Sequence, residues 1–140
     1  MTTYLATHGF GAIKDSNSTF TITTVTKTGS AVIKPTDPNE LSGWIHYTIQ
    51  SPSADQPNLK TAIVDFSSQS ATIETVEIHM AQKNAFVADN LQATQAITLP
   101  ITGYAGAVTF NGKGLALSVY IVFSSLSSSI SLQSVSITTA

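Results

Sequence analysis

Two apolar runs on either side of Asn111-Gly112 constrain the fold of this chain more than any other feature of its sequence. Asn-Gly tolerates the positive φ angles of a type I′ turn, whose twist matches that of paired antiparallel strands. On the longer run, apolar residues recur at every second position, which places their side chains on one face of a sheet. These residues are Leu115, Leu117, Val119, Ile121 and Phe123. The stretch Gly106–Phe123 therefore predicts an antiparallel hairpin that adds one face to a hydrophobic core.

The remainder of the chain repeats short strand-like runs separated by turn signals. Gly43–Gln50 and Ile73–Ala81 alternate apolar and polar residues, whereas Leu59–Phe66 is almost continuously apolar, as in a central strand covered on both faces. Gln82–Gln92 is the least strand-like stretch and suggests a loop or one helical turn. About nine or ten strands at this spacing predict an all-β, antiparallel, jelly-roll-like β-sandwich. We expect residues 1–140 to form a single domain.

Two details of the last strands refine this prediction. Gln95–Ile101 carries Pro100, which lacks a backbone donor and therefore indicates an edge strand or a strand end. In Ile130–Thr138 the apolar residues change phase by one position, which predicts a β-bulge near Gln133-Ser134.

The composition excludes some classes of partner. Charged residues are 10% of the chain, the formal net charge is −2 and all six basic residues are lysines. Because arginine is the preferred side chain for bidentate contacts to phosphate and guanine, we expect no nucleic-acid binding. Cysteine is absent, so disulfides and thiolate metal sites are excluded. Serine and threonine fill 38 positions, and a surface polar through hydroxyls rather than charges lets copies of the chain approach one another.

No targeting or membrane segment is visible in the sequence. The first residues, MTTYLATHGFGAIKD, lack the basic start and the continuous apolar region of a signal peptide. No run approaches the roughly 18 apolar residues of a spanning helix. We therefore expect no membrane span, and a cytoplasmic location by default or export by a non-classical route.

The residues typical of catalytic and metal sites are scattered along the chain. The histidines His8, His46 and His79 share no short ligand spacing. Glu77 and His79 lie two residues apart on one predicted strand face, where a carboxylate could orient an imidazole. No serine elbow, H-E-x-x-H sequence or phosphate-binding loop accompanies them. We therefore predict that the protein is not an enzyme and holds no metal or cofactor.

Aromatic residues give the strongest indication of a binding site. Trp44, the only tryptophan, shares one face of a predicted strand with His46. An exposed tryptophan beside a polar side chain can stack on the apolar face of a sugar ring. The alternative is that Trp44 plugs one end of the sandwich, since tryptophan is highly buried on average. Clustering of Tyr104 and Phe10 with Trp44 at one loop end would favour ligand binding.

Several features occur together along the chain: a short first strand followed by His8-Gly9, a strand Trp44-Ile45-His46 leading into Ser51-Pro52, the strand Leu59–Phe66, a long apolar penultimate strand and a hydroxyl-rich final strand. In this order they resemble a family of small bacterial β-sandwich domain proteins of uncharacterised function. The resemblance covers most of the chain and implies a single β-sandwich. It carries no known activity, so it implies no catalytic residue, but it draws attention to His8, Trp44 and His46.

Two functions therefore follow from the sequence. The first is a non-enzymatic recognition module, with carbohydrate binding of a lectin-like kind as its candidate role, a glycan or surface ligand, and a site at Trp44, His46, His8 and Tyr104. The alternative is a self-assembling structural subunit of a homo-oligomer or filament.

The alternative rests on the two terminal segments, Thr2–Thr7 and Ile130–Thr138. Their exposed sides carry no charge, and unprotected terminal strands can add to the sheet of a neighbour. On this basis we expect self-association.

Overall fold

The computed structural model of the chain describes residues 3–80, 83–101, 108–110 and 114–140, and these residues are mostly β-strand. The strands are β1 (Thr3–His8), β2 (Ile13–Lys14), β3 (Thr21–Val25), β4 (Ser30–Lys34), β5 (Ser42–Ile49), β6 (Asn58–Gln69), β7 (Ala71–Met80), β8 (Lys83–Ala88), β9 (Gln95–Pro100), β10 (Val108–Thr109), β11 (Leu115–Phe123) and β12 (Ser129–Thr139). A 3₁₀ turn, Gly9–Gly11, follows β1. The described residues include no helix that is long and apolar enough to cross a membrane. Ten of these strands have five residues or more, so the predicted all-β fold is confirmed.

Seven strands form one antiparallel sheet with β12 and β6 at its centre. The other edge of β12 is shared by β4, along Ile130–Leu132, and by β1, along Ser134–Thr139. Strands β9 and β10 share the outer edge of β6, and β3 pairs with β4. Because β12 is paired on both edges, the prediction that Ile130–Thr138 is an unprotected edge is wrong. Within the described residues β1 pairs only with β12, so self-association through β1 stays a prediction.

The remaining five strands form a second antiparallel sheet in the order β2-β5-β11-β7-β8. Strand β11 lies in its middle and pairs with β5 and β7 along almost its whole length. The inward residues of both sheets make one continuous hydrophobic core. Leu115, Leu117, Val119, Ile121 and Phe123 are all buried there, as the alternation predicts. The rings of Phe20 and Phe123 meet edge to face with centroids 5.0 Å apart, which joins the segment before β3 to β11.

The predicted hairpin across Asn111-Gly112 is wrong. Residues 111–113 lie outside the described residues, but the strands that flank them belong to different sheets, since β10 pairs with β6 and β11 pairs with β5 and β7. Period-two alternation shows which face of a strand is buried and does not identify its neighbour. The turn signal alone therefore could not decide between a hairpin and a connection from one sheet to the other.

Two further predictions about individual strands need correction. Leu59–Phe66 is central, as predicted, but it is not covered on both faces, because Asp65 is exposed while Val64 and Phe66 are buried. Gln82–Gln92 is neither a loop throughout nor a helical turn, since β8 occupies part of it and pairs with β7. Its mixed side chains at a sheet edge leave no clear alternation to recognise.

Other details are confirmed. The register of β12 against β6 shifts between Leu132 and Ser134, where the sequence predicts a bulge. Pro100 ends β9, a strand that pairs only with β6 among the described residues.

Gly9 allows the turn after β1 to lie directly on the seven-stranded sheet. A Cβ atom at this position would lie 1.9 Å from the carbonyl oxygen of Leu132 and 2.7 Å from the backbone nitrogen of Ala31. Both are backbone atoms of paired strands and cannot move aside, so only glycine fits. This close approach helps to anchor β1 beside β12.

Candidate functional site

The aromatic residues Trp44 and Tyr120 form a pair on the outer face of the five-stranded sheet. Ile45 and Tyr47 point from β5 into the core, so Trp44 and His46 point outward. The antiparallel register sets Trp44 opposite Tyr120 of β11, with ring centroids 5.1 Å apart and ring planes inclined by 55°. Both residues are half-buried. Trp44 therefore lies outside the core, and the alternative in which it plugs the sandwich is wrong.

A polar cavity of about 240 Å³ lies beside this aromatic pair. Besides Trp44 and Tyr120, the residues that line it are Asp15, Asn17, Ser18, Ser42 and Gly43. The turn that brings Asp15 here is fixed by hydrogen bonds from the Ser18 amide to the Asp15 carbonyl, 3.0 Å, and from the Asp15 amide to the Trp44 carbonyl, 3.3 Å. The hydroxyl of Tyr120 donates to Ser42 Oγ over 2.8 Å. The cavity thus combines an aromatic wall with a carboxylate, an amide and hydroxyls.

Gly43 allows the loop segment that contains Ser18 to come close to the beginning of β5. A Cβ atom on Gly43 would lie 3.1 Å from the ring of Phe20 and 3.3 Å from Ser18 Oγ. These distances are tighter than ordinary van der Waals contacts. The absence of a side chain on Gly43 therefore allows the segment from Ser18 to Phe20 to pack against the beginning of β5.

His46 connects Asp15 to Ser118 through both ring nitrogens. Its Nε2 lies 2.8 Å from Asp15 Oδ1, and its Nδ1 lies 2.6 Å from the hydroxyl of Ser118, the residue directly opposite on β11. Hydrogen bonds from His46 and from the Asn17 amide hold the pKa of the Asp15 carboxyl below its usual value. Asp15 is therefore a charged acceptor at neutral pH, and the network fixes its orientation at the cavity.

The order carboxylate, imidazole and hydroxyl is also that of a serine hydrolase relay. Ser118, however, is only 2% exposed, because it lies between β5 and β7 in the middle of the sheet. A nucleophilic hydroxyl must reach a substrate carbonyl, and this one is covered by its neighbours. The network consequently positions Asp15 and His46 and does not present a nucleophile.

Polar residues continue across β7, the other neighbour of β11. Glu77 lies opposite Ser118. Its Oε1 is 3.3 Å from His79 Nε2, so Glu77 and His79 contact each other, as the sequence suggests. The hydroxyl of Thr75 donates to Asp89 over 3.1 Å. Within the described ranges, no three histidine or acidic side chains come together in a way that could hold a metal ion.

The structure brings together only part of the candidate site from the sequence. Trp44 and His46 lie two residues apart on one face, as expected. His8 is exposed at the end of β1 in the seven-stranded sheet, opposite Ser134. Tyr104 lies outside the described residues. Phe10 is exposed in the turn after β1 and is not among the residues that line the cavity.

Sequence reasoning missed every residue that lines the cavity except Trp44, including four with polar or aromatic groups for a ligand: Asp15, Asn17, Ser42 and Tyr120. The alternation of β11 indicates that Tyr120 points away from the core, but only the pairing of β5 with β11 sets it opposite Trp44. Asp15 lies in a loop whose path over β5 has no periodic signal.

No protein-family model matches the chain, and no match was found among curated proteins. Solved structures do match. The chain is similar to a low-affinity xylan-binding module, CBM86, from Roseburia intestinalis, with a TM-score of 0.60 and 12% identity over 99% of this chain and 96% of that one. It is also similar to a family 29 carbohydrate-binding module, with a TM-score of 0.53 and 11% identity over 99% of this chain and 89% of that one.

A third similar structure is the CBM36-1 domain of a multidomain xylanase from the hindgut metagenome of Trinervitermes trinervoides, with a TM-score of 0.51 and 7% identity over 98% and 96% of the two chains. At these identities the likeness shows a shared fold. The chain thus has the β-sandwich fold found in carbohydrate-binding modules. The resemblance noted in the sequence to small bacterial β-sandwich proteins is confirmed at the level of fold only.

Proposed function

We propose that the chain is a non-catalytic carbohydrate-binding module that binds a neutral polysaccharide on the outer face of its five-stranded sheet. The observation that carries the proposal is the pairing of Trp44 with Tyr120 beside a polar cavity. A sugar ring has an apolar face of C–H groups and a rim of hydroxyls. The aromatic pair suits the first and the polar groups of the cavity suit the second.

The polar side chains of the cavity supply both donors and acceptors for the hydroxyl groups of a sugar ring. The Asp15 carboxylate accepts from ligand hydroxyls, and the side-chain amide of Asn17 and the hydroxyl of Ser42 can donate or accept. Asp15 is held by the His46 ring and by the backbone N–H of Asn17, so little side-chain entropy is lost when a ligand binds. His46 is in this view a positioning residue.

The similar proteins suggest the class of sugar. One is described as a xylan-binding module, another is a domain of a xylanase, and a variant of the family 29 module was solved with cellulohexaose. These descriptions name xylan, a xylanase and a cello-oligosaccharide. We therefore extend the proposal to a xylan-like or glucan-like chain, bound by residues 1–140 acting as one domain without hydrolysing it.

The proposal is tested by electrophoresis through native gels that contain soluble xylan, glucan or mannan. Wild-type protein should be retarded by at least one of them, and Trp44→Ala should weaken that retardation by about 10-fold or more, as expected of a central aromatic anchor. Tyr4→Ala is the matched control, since Tyr4 is an aromatic residue 65% exposed on β1 of the other sheet.

Melting curves show whether each variant is folded. The Tyr4→Ala protein should bind like the wild type. The proposal is wrong if the wild type is retarded by none of the polysaccharides, or if a folded Trp44→Ala protein is retarded as strongly as the wild type.

A further inference from the structure

A second cavity opens at the same end of the five-stranded sheet. Its volume is about 510 Å³, and its lining includes Val122 of β11 and Thr72 of β7. The hydroxyl-bearing residues around it are Ser68, Ser70, Thr94 and Ser124. Val122 and Thr72 are outward residues of their strands, because the flanking Ile121, Phe123 and Ile73 are buried. The cavity thus lies partly on the face that carries Trp44.

The strand register places the two cavities next to each other. Val122 lies directly between Ser42 of β5, which lines the first cavity, and Thr72 of β7. Neighbouring strands are about 4.8 Å apart, so this row spans roughly 10 Å from Ser42 to Thr72. The Tyr120 hydroxyl donates to Ser42 at the border between the cavities. A ligand that crosses β5, β11 and β7 would touch both.

The chemistry of the second cavity differs from that of the first. The residues that line it carry hydroxyl or aliphatic side chains, with no charged or aromatic group among them. Three of these hydroxyls are engaged. Ser68 Oγ donates to the Thr94 carbonyl over 3.0 Å, the Thr72 hydroxyl donates to Glu74 over 2.6 Å, and Ser124 Oγ shares a hydrogen bond with Ser128 Oγ over 3.0 Å. The side-chain hydroxyls of Ser70 and Thr94 are exposed and make no hydrogen bond to the described part of the chain. They suit a neutral ligand rich in hydroxyl groups.

We infer that the ligand is a linear, neutral oligosaccharide that runs across the strands, with one ring on Trp44 and Tyr120 and a later unit hydrogen-bonded in the hydroxyl cavity. This inference rests on the proposed function and adds to it the direction and the minimum length of the bound chain. A single ring or a disaccharide at the aromatic pair is too short to fill both cavities. Affinity should therefore rise with chain length until both are occupied.

The test is calorimetric titration with xylo-oligosaccharides from the disaccharide to the hexasaccharide, repeated with the cello-oligosaccharide series. The double variant Ser70→Gly, Thr94→Val removes both unengaged hydroxyls. Glycine suits position 70 because Ser70 has a positive φ of 57°, and valine preserves the shape of threonine at an exposed position. Thr98→Val, an exposed change on β9, is the matched control.

For the wild type and the control we expect tighter binding with each added unit up to a plateau. The double variant should bind the shortest ligand that the wild type binds equally well, and should lose about 5- to 10-fold for the longest, the size expected for two hydrogen bonds. If the double variant binds the longest ligand like the wild type, the second cavity is not a subsite. If the wild type binds neither series at any length, the xylan-like or glucan-like ligand of the proposed function is wrong, and the inference fails with it. Binding of long ligands that is lost in Trp44→Ala and kept in the double variant overturns the inference alone.

Discussion

The inner faces of the two sheets are alike, whereas their outer faces differ. Inside, both contribute buried isoleucine, leucine and valine to one core. Outside, the five-stranded sheet carries the Trp44–Tyr120 pair and a polar cavity. The outer face of the seven-stranded sheet carries hydroxyls that bond each other, as Thr61 and Thr138 do, and Ser136 and Thr138 are nearly buried. Because side chains alternate along each strand, the same strands can build a shared core and carry different groups on their outer faces. The inward residues determine the sandwich, and the outward residues of each sheet are free to serve stability or recognition.

The largest loss of stability should come from a change at Gly9, which disturbs the packing of the fold itself. Gly9→Ala forces a Cβ against the backbone of β12 and β4, and we expect it to lower the free energy of unfolding by about 3 kcal/mol. Gly11→Ala is the control, since its Cβ would meet side-chain atoms and no backbone: the Thr7 methyl carbon at 2.5 Å and Tyr47 Cδ1 at 3.7 Å. Urea denaturation measures both. A Gly9→Ala protein as stable as Gly11→Ala would show that the close approach is not required.

Tyr120→Ala should affect recognition and leave the other face intact. Removing this ring takes away half of the aromatic platform, so we expect about a 10-fold loss of affinity for the polysaccharide that retards the wild type. Tyr120→Phe keeps the ring and removes only the hydroxyl that donates to Ser42, and its loss should be about 3-fold or less. Equal losses in the two variants would indicate that the hydrogen bond, and not stacking, dominates.

Thr138→Val makes the reverse change on the seven-stranded sheet. Thr138 is 5% exposed and its hydroxyl bonds that of Thr61. Valine leaves the Thr61 hydroxyl without this partner, and we expect a loss of about 1 kcal/mol in stability with no change in affinity. Thr138→Ser retains the hydroxyl and should lose less. A Thr138→Val protein that keeps its stability but binds sugar more weakly would invert the roles given to the two faces.

The smallest expected effect concerns the pH dependence contributed by Asp15. Hydrogen bonds from His46 and the Asn17 amide lower its pKa in the folded protein. The stabilisation by the ionised form is therefore complete above the pKa of the unfolded chain, about 3.9, and is lost as the pH falls through the lower folded value. Wild type should melt above Asp15→Asn at neutral pH, and the difference should shrink below about pH 4. A difference that is the same at pH 2 would contradict the assignment.

The faces of the strands could be predicted from the sequence, but their neighbours could not. The alternation at Leu115–Phe123 and the phase change near Gln133 both appear in the structure, because each is a local property of one strand. The hairpin across Asn111-Gly112 and the free edge at Ile130–Thr138 were wrong because pairing depends on the whole topology.

The candidate site shows the same division. Trp44 and His46 share a strand, and period two alone places them together. Tyr120 and Asp15 reach them through β11 and a loop distant in sequence, so no local pattern could show the contact. His8 was included in the candidate site because the resemblance to small bacterial proteins draws attention to it, but it lies in the other sheet.

The most direct test of sugar recognition by the five-stranded sheet is to map where a sugar binds. The backbone amides of isotopically labelled protein are followed by NMR during titration with the longest oligosaccharide that binds. We expect the shift changes to concentrate on Asp15, Asn17, the beginning of β5 and the end of β11, with further changes at Ser70, Thr72 and Thr94 of the second cavity. The indole N–H of Trp44, the only tryptophan, should shift with them. Changes concentrated instead on β1, β12 and the outer face of β6 would contradict the claim that recognition belongs to the five-stranded sheet.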